Sequence, residues 1–324
     1  MARRIAITGA NGFLGRYGCS DLAAREFSVR AVARAAMSLP HVENRQVPDL
    51  TDAPLVRSAF TGCDTVVHLA GLAHRRASEA SLDQFERANV RTTRVVCTEA
   101  VNAGVSTIVL MSTAAVAGLA GADSPQQVPR IDNAYARTKL DGERAARDCV
   151  GGSPVRLLIF RPPMVYGPGM KGNPLRLFQL VSAGIPLPLS GVRNQRSMLF
   201  VGNLFAAIAA AVTSDRVAAS ALYPTDGPPV STPDFVRGVA AALGKRPPLF
   251  YMPLASLRLA ARVADAIGRV VPGLPGTGDL ERLTESFVVD DSDLRTTFSF
   301  HPAISTQEGL EATAVWWRTR SARS

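Results

Sequence analysis

The chain has 324 residues, of which 47% are hydrophobic, and it carries a formal net charge of +9. This length is enough for about two domains with a sizeable core, and no apolar segment approaches the roughly 20 residues that a membrane-spanning helix needs. The residues Met1–Arg4 lead at once into an apolar run without a signal-peptide pattern, so we expect a cytoplasmic protein without membrane insertion.

The charge and the cysteines bear on two further classes, nucleic-acid-binding proteins and metalloproteins. Most of the positive charge is arginine spread along the chain without a basic run, so an anionic small ligand explains the charge as well as nucleic acid does. The four cysteines lack metal-ligand spacing, so we predict buried free thiols and no metal site; they are Cys19, Cys63, Cys97 and Cys149.

Up to about residue 165, short apolar or β-branched runs alternate with longer stretches of helical period. This alternation predicts an α/β fold, a Rossmann-type doubly wound parallel sheet covered by helices. The strand candidates are Arg4–Thr8, Ser28–Ala33, Thr65–Ala70, Thr107–Met111 and Val155–Phe160, and the main helix candidates are Phe13–Arg25, Ser81–Ala103 and Asn133–Cys149.

The character of the chain changes after Arg161-Pro162-Pro163, where proline and glycine cluster between shorter helices. We expect residues 166–324 to form a smaller substrate-binding region of mixed helices and short strands over the carboxyl edge of the sheet, with segments near 197–226 joining the first domain. Within this region the amphipathic stretch Ala255–Val271 includes Arg258, Arg262, Asp265 and Arg269.

The segment Thr8–Gly15 follows the first strand candidate and precedes the first helix candidate. This is the context that a phosphate-binding glycine loop requires. Gly9 fits the tight turn, Gly12 the close approach of backbone to pyrophosphate, and Gly15 the packing of helix against strand. The sequence therefore predicts a bound dinucleotide at this turn.

Tyr135 and Lys139 are four residues apart, which places a phenol and an ammonium on one helix face. A nearby cation favours the phenolate, so Lys139 would bring Tyr135 toward acid-base work. Ser112 and Thr113 follow the buried-looking strand candidate at Thr107–Met111, at the edge that the glycine loop also occupies.

With these motifs in order, the sequence resembles the extended short-chain dehydrogenase/reductase family, in its nucleotide-sugar epimerase, dehydratase and reductase branch. Further motifs that carry the resemblance are Asp49-Leu50 after the third strand, His68–Gly71, Asn89-Val90 and Arg161–Gly169. The resemblance implies a catalytic set of Thr113, Tyr135 and Lys139. It also implies a cofactor site made of Gly9, Asn11, Gly12, Phe13, Leu14, Gly15, Arg34, Asp49, Leu50, Leu69, Ala70, Gly71, Asn89, Tyr135 and Lys139.

The second half resembles the sugar-nucleotide side of the same enzymes. Asn173 matches a residue that contacts the pyrimidine nucleotide, Arg196 matches an arginine on the diphosphate, and Arg282 is a looser second candidate. With Ser112 and Thr113, these residues are the predicted substrate contacts. The resemblance also implies a homodimer through the helices at 81–103 and 135–149.

Two positions depart from the family pattern. The family often has Val-Tyr-Gly after the catalytic hydroxyl, whereas this chain has Val116-Ala117-Gly118, which would reshape the space beside the sugar. The second strand ends at Ala33-Arg34 instead of an acidic residue, so Arg34 could pair with a 2′-phosphate, and the cofactor is either NAD or NADP.

The expected function is hydride transfer at C4 of a UDP-sugar by a 4-epimerase or 4-ketoreductase of surface-polysaccharide synthesis. A dehydratase is disfavoured, since Ala114-Ala115 supplies no acid or base for removing water. The alternative is a non-catalytic regulator that binds NAD(P) on the same fold. A nucleic-acid-binding protein is a more distant alternative, because diffuse arginine would not hold DNA at physiological salt.

Overall fold

A six-stranded parallel sheet forms the centre of the protein, as a computed structural model shows. The structure describes residues 3–73, 81–118, 133–218, 221–268 and 277–321, without the side chains of residues 266–268 and Asp279. The strands of the six-stranded sheet are β1 (Arg4–Thr8), β2 (Ser28–Ala33), β3 (Val42–Gln46), β4 (Thr65–His68), β5 (Thr107–Met111) and β6 (Arg156–Phe160), and two further strands are β7 (Met164–Tyr166) and β8 (Met198–Phe200).

The helices cover both faces of this sheet and build most of the second half of the chain. They are α1 (Phe13–Ala24), α2 (Ala53–Phe60), α3 (Leu82–Glu86), α4 (Thr92–Asn102), α5 (Ala134–Val150), α6 (Asn173–Ser182), α7 (Val201–Thr213), α8 (Thr232–Leu243), α9 (Leu254–Gly268), α10 (Thr277–Thr284), α11 (Ser292–Phe298) and α12 (Thr306–Ser321). The last three residues of the amphipathic stretch Ala255–Val271 lie outside the described residues.

The strand order is β3-β2-β1-β4-β5-β6, with every pair parallel. The order reverses direction between β1 and β4, which is the point where open parallel sheets form a ligand-binding crevice at their carboxyl edge. The predicted Rossmann-type fold is therefore confirmed. Its two faces carry separate apolar clusters, one containing Ile5 and Ile7 and the other Ala6 and Val66, as alternation along buried strands requires.

Several predicted boundaries hold and others move. β1, β2 and β5 have the predicted bounds, but the strand predicted at Thr65–Ala70 ends at His68, and the last one begins at Arg156. The resemblance implies a strand before Asp49, but the pattern gave no bounds for this edge strand, β3, because its sequence, VENRQ, is polar and mostly exposed. The helix predicted at Ser81–Ala103 is interrupted by a π-helical turn, Arg87–Arg91.

The second half of the chain returns to the sheet edge beside β6. Leu222 accepts from the backbone N–H of Arg161 at 2.7 Å and donates its own N–H to Ile159 at 2.8 Å. β7 and β8 form a short parallel pair next to it. This continuation brings the loops after β6 to the carboxyl edge of the sheet, beside the glycine turn.

In the described ranges, no helix is both long enough and apolar enough to cross a bilayer. The four cysteines are free thiols, and Cys19, Cys63 and Cys97 are buried as predicted, whereas Cys149 is only half-buried, so the prediction of burial is wrong for it.

Candidate active site

The glycine turn between β1 and α1 has the geometry that its sequence predicts. Gly9 has φ +69°, and a Cβ there would lie 2.8 Å from the backbone nitrogen of Ala70. A Cβ on Gly15 would lie 2.3 Å from the Gly9 carbonyl oxygen and 2.6 Å from Ala10 Cα. Only glycine fits at either position, because the obstructing atoms are backbone. The turn is thus packed tightly on its protein side.

Gly12 is exposed on the other side of the turn and is the N-cap residue of α1. No side chain caps this helix end, and the first turn of α1 carries no acidic residue, so its N–H groups suit an anion. Asn11 Nδ2 donates to Ala35 O at 3.1 Å, whereas the buried Asn11 Oδ1 has no hydrogen-bond partner. An unsatisfied acceptor beside free helix N–H groups fits the hydroxyls and phosphates of a dinucleotide.

A groove of about 540 Å³ runs beside this turn. Its lining includes Asn11, Gly12 and Phe13 from the turn, and it also includes the cations Arg16 and Lys171. Lys171 belongs to the loop after β7, so residues of both halves of the chain contribute to this groove. The two cations complement a phosphate-bearing ligand.

The loop after β4 is held by Asn89, which lies in the π-helical turn and is 1% exposed. Asn89 Oδ1 accepts from the Leu72 N–H at 2.8 Å, and Nδ2 donates to the Leu72 carbonyl at 3.2 Å and to Thr138 Oγ1 at 3.1 Å. Asn89 therefore fixes the position of Leu69–Gly71 relative to α5. Its predicted direct contact with the cofactor stays a prediction.

A chain of hydrogen bonds under this loop passes through His68. Its Nδ1 lies 2.7 Å from Thr8 Oγ1, and its Nε2 lies 3.2 Å from Thr93 Oγ1. Thr93 donates its hydroxyl proton to Asn89 O at 2.7 Å, so His68 Nε2 must be the donor to Thr93, and Nδ1 must accept from Thr8. Burial, followed by the charge of Lys139, lowers the pKa of His68 to about 3.

The three predicted catalytic residues lie together at the carboxyl edge of β5. Tyr135, at the start of α5, shares a hydrogen bond with the Thr113 hydroxyl. Lys139, one turn later, is buried and donates from Nζ to Met111 O at 2.5 Å. A Cβ on Gly71 would lie 3.6 Å from Lys139 Nζ, which brings the loop after β4 to the same place.

Burial has opposite effects on the two titratable groups of this set. It raises the pKa of Tyr135, and the hydrogen bond from Thr113 offsets part of the increase. Burial lowers the pKa of Lys139 to about 8, against the opposing effect of the Glu143 carboxylate. The sequence-based expectation that Lys139 favours the phenolate thus omits the larger influence, which is desolvation.

A buried ion pair supports this set from behind, and sequence reasoning missed it. Glu143, which is 0% exposed, accepts from Arg161 Nε at 2.9 Å and from Arg161 Nη2 at 2.7 Å. Ser112 Oγ also donates to Glu143 Oε1, and Arg161 Nη1 donates to Tyr223 at 2.7 Å. The Ser112 hydroxyl is therefore engaged in the interior, and its predicted contact with substrate stays a prediction.

Three of the predicted cofactor residues, Arg34, Asp49 and Leu50, follow the carboxyl ends of β2 and β3. Arg34 is exposed directly after β2, and its carbonyl accepts from Gln46 at 3.2 Å. Asp49 is held by Thr51 N–H at 2.9 Å and by Arg87 at 2.8 Å, and these bonds lower the pKa of its carboxyl. Leu50 packs against the apolar cluster below.

In the second half, Arg196 and Arg282 come together and Asn173 lies elsewhere. Arg196 Nη1 donates to Arg282 O at 2.6 Å and to Glu285 O at 3.1 Å, and its guanidinium lies over the Phe287 ring at 5.9 Å. It therefore stabilises the carboxyl end of α10. Asn173 is exposed at the start of α6.

Known proteins are similar to this chain in sequence and in fold. A sequence model of the NAD dependent epimerase/dehydratase family matches residues 5–222. The chain therefore belongs to the NAD-dependent epimerase/dehydratase family, and NAD is the cofactor of that family.

Three similar proteins illustrate the relationship. The chain is 28% identical over 325 residues to a UDP-glucose 4-epimerase of Vibrio cholerae, with 97% of this chain and 95% of the relative covered. It is 26% identical over 256 residues to N-acetyl-alpha-D-glucosaminyl-diphospho-ditrans,octacis-undecaprenol 4-epimerase of Escherichia coli O157:H7, with 78% of this chain and 76% of the relative covered. The solved structure of MoeE5 in complex with UDP-glucose and NAD is 25% identical, with a TM-score of 0.75 and coverage of 99% and 100%.

Proposed function

We propose that this protein transfers hydride at C4 of a UDP-sugar, as a 4-epimerase or 4-ketoreductase. The observation that carries the proposal is the grouping of Thr113, Tyr135 and Lys139 at the carboxyl edge of β5, next to the loop after β4. The similarity to a protein named UDP-glucose 4-epimerase supports the same chemistry. A role in surface-polysaccharide synthesis is part of this proposal.

The two halves of the chain would divide the work. Residues 1–165, with segments near 197–226, would bind the dinucleotide, and residues 166–324 would bind mainly the sugar nucleotide through Asn173, Arg196 and Arg282. A homodimer would fit the family resemblance. A bound nicotinamide cofactor supplies the acceptor and donor of hydride. Arg34 makes NADP a candidate beside NAD, because its exposed guanidinium follows the strand that contacts the adenosine ribose in such folds.

The side chains of the site would handle the proton on O4. Tyr135 Oη would take the hydroxyl proton from O4 during oxidation and give it back during reduction. The Thr113 hydroxyl would hold the same oxygen, since it already shares a hydrogen bond with Tyr135. Lys139 would orient the ribose and, as a buried cation, oppose the increase that burial causes in the pKa of Tyr135.

The first experiment removes the phenolic hydroxyl. Tyr135→Phe keeps the ring, so turnover of a UDP-sugar, followed by chromatography of the product, should fall ~10²–10⁴-fold while dinucleotide binding is nearly retained. Thr113→Val should reduce turnover as well, whereas Thr113→Ser keeps the hydroxyl and is the matched control. Turnover at the wild-type rate in Tyr135→Phe would refute the proposed chemistry and favour the non-catalytic NAD(P)-binding alternative.

The second experiment distinguishes the two reactions. An epimerase must keep its cofactor through each turnover, whereas a reductase must release the oxidised form. Mass and absorbance of the small molecule that is purified with the protein test this difference: retained NAD indicates an epimerase, and a site that fills only with added NADPH indicates a reductase.

A further inference from the structure

Helix α9 and the segment before it carry an unusual share of the exposed apolar surface. In the part of the chain that the structure describes, ten large hydrophobic side chains are exposed, and five of them lie between residues 250 and 263. They are Phe250, Tyr251, Leu254, Leu259 and Val263, with exposures of 41%, 70%, 39%, 64% and 49%. Single exposed apolar residues are ordinary, but such a concentration indicates a binding surface.

The two faces of α9 explain this exposure. Among the described side chains of α9, Leu257 and Ala261, four residues apart, are buried against the protein. At 3.6 residues per turn, Leu259 and Val263 point about 160° away from that pair, toward solvent. An amphipathic helix with one apolar face inward therefore carries a second apolar face outward.

The charges beside the outward face are positive. Arg258 and Arg262, also four residues apart, are exposed on one flank, about 100° from the outward apolar pair. Asp265 is the one acidic residue among the described side chains of α9, and its carboxylate is occupied by the N–H and hydroxyl of Thr277 at the start of α10, at 3.1 and 2.6 Å. The exposed surface therefore combines apolar side chains with cations.

We propose that the α9 face, defined by Leu259, Val263, Arg258 and Arg262, binds the surface of an anionic phospholipid bilayer. Leu259 and Val263 enter the boundary between headgroups and acyl chains, and the two guanidinium groups bind lipid phosphates beside them. The overall charge of +9 acts in the same direction over longer distances. A partner protein with a neutral apolar patch would leave these cations without counter-charges, so charge complementarity favours the lipid surface.

This contact would bring the substrate half of the protein to the bilayer. α9 packs against α10, whose carboxyl end accepts the hydrogen bonds of Arg196. A peripheral position at the membrane would place the site near sugars that are handed to, or carried by, membrane lipids. The helix lies on the bilayer and does not cross it.

Co-sedimentation of the full chain with lipid vesicles tests the proposal. The wild-type protein should bind vesicles of equal parts phosphatidylglycerol and phosphatidylcholine about tenfold more than vesicles of phosphatidylcholine alone at physiological salt. Leu259→Glu combined with Val263→Glu should lose most of this binding. Arg258→Gln combined with Arg262→Gln should abolish the preference for the anionic vesicles.

The matched control is Val217→Glu combined with Val315→Glu, since these valines are 72% and 57% exposed elsewhere and the change in net charge is the same. It should bind vesicles like the wild type. If the control and the variant Leu259→Glu with Val263→Glu lose vesicle binding equally, the attraction is diffuse and the proposal is wrong. Wild-type vesicle binding by the variant Leu259→Glu with Val263→Glu would also overturn it. If light scattering shows that Leu259→Glu with Val263→Glu turns a dimer into a monomer while vesicle binding is unchanged, a second copy covers this face and the proposal is wrong. Turnover of a soluble UDP-sugar is measured in parallel and does not depend on this outcome.

Discussion

The buried pair of Glu143 and Arg161 gives a quantitative test of the structure. Glu143→Gln keeps the shape of the side chain but removes its charge. Glu143 Oε1 already accepts from both Ser112 and Arg161 Nε, so the amide nitrogen of glutamine would have to occupy the Oε2 position. There it faces Arg161 Nη2, which is another donor, at 2.7 Å. The guanidinium then stays buried with one lost partner and an unfavourable contact.

Breaking a buried ion pair by changing one partner costs ~3–5 kcal/mol. With an unfolding entropy of about 2.1 cal/mol/K per residue, a chain of 324 residues should lose roughly 4–7 °C in Tm. Denaturant unfolding measures the free energy, and calorimetry measures the midpoint. Arg147→Gln is the matched control, because Arg147 lies 3.6 Å from Glu143 but is 50% exposed, and its loss should cost less than about 1 kcal/mol.

Replacing both partners separates the charge from the packing. Glu143→Leu with Arg161→Met removes the unpaired charge and should recover much of the stability lost in Glu143→Gln. If the free energy of unfolding of Glu143→Gln lies within about 1 kcal/mol of the wild-type value, the pair contributes no more than an exposed ion pair, which would contradict its burial in the structure.

Three further predictions follow from the same edge of the sheet. Because the pKa of Lys139 falls from its ordinary 10.5 to about 8 on folding, the unfolded chain binds more protons between these values, and unfolding free energy should rise with pH across this window. Lys139→Met should then be more stable than the wild type at pH 7, by a margin that shrinks above pH 8; a margin independent of pH would contradict this. Gly15→Ala should lower both Tm and cofactor affinity, whereas Gly12→Ala, whose Cβ would lie 3.2 Å from Gly9 O, should weaken cofactor binding with a smaller loss of Tm; equal Tm losses would argue against the different packing of the two glycines. Arg34→Ala should weaken NADPH binding by ~1.5–3 kcal/mol and leave NADH binding nearly unchanged, and titrations showing equal losses would exclude a contact with the 2′-phosphate.

Local patterns in the sequence predicted the sheet and the glycine turn well. β1 and the turn at Gly9 and Gly15 combine strand period with glycines whose roles are set by backbone geometry close by in the chain. Edge strand β3 escaped prediction since a polar strand with one neighbour needs no apolar alternation. The π-helical turn at Arg87–Arg91 escaped as well, because both stretches beside a single inserted residue keep the period of an α-helix.

The candidate site could be predicted less completely. Tyr135 and Lys139 are recognisable from their spacing on one helix, but the effect of burial on their pKa values depends on strands far away in the sequence. The Glu143 and Arg161 pair joins residues 18 positions apart through α5 and the end of β6, and no periodic pattern marks it. Ser112 was predicted from its place after β5, while the direction of its side chain required the structure.

The hydrogen-bond chain through His68 has a fixed proton order. The Ala70 N–H donates to Thr8 at 3.4 Å, and the Thr8 hydroxyl donates to the ring. The ring in turn donates to Thr93, which donates to Asn89 O, so all four hydrogen bonds run in the same direction. A second proton, on Nδ1 of the ring, would face the Thr8 hydroxyl, which is itself a donor. The low pKa of His68 keeps the ring neutral and so avoids this contact. These hydrogen bonds therefore tie the first strand to the loop beside Lys139, and acidification to pH 5 should leave their partners and directions unchanged.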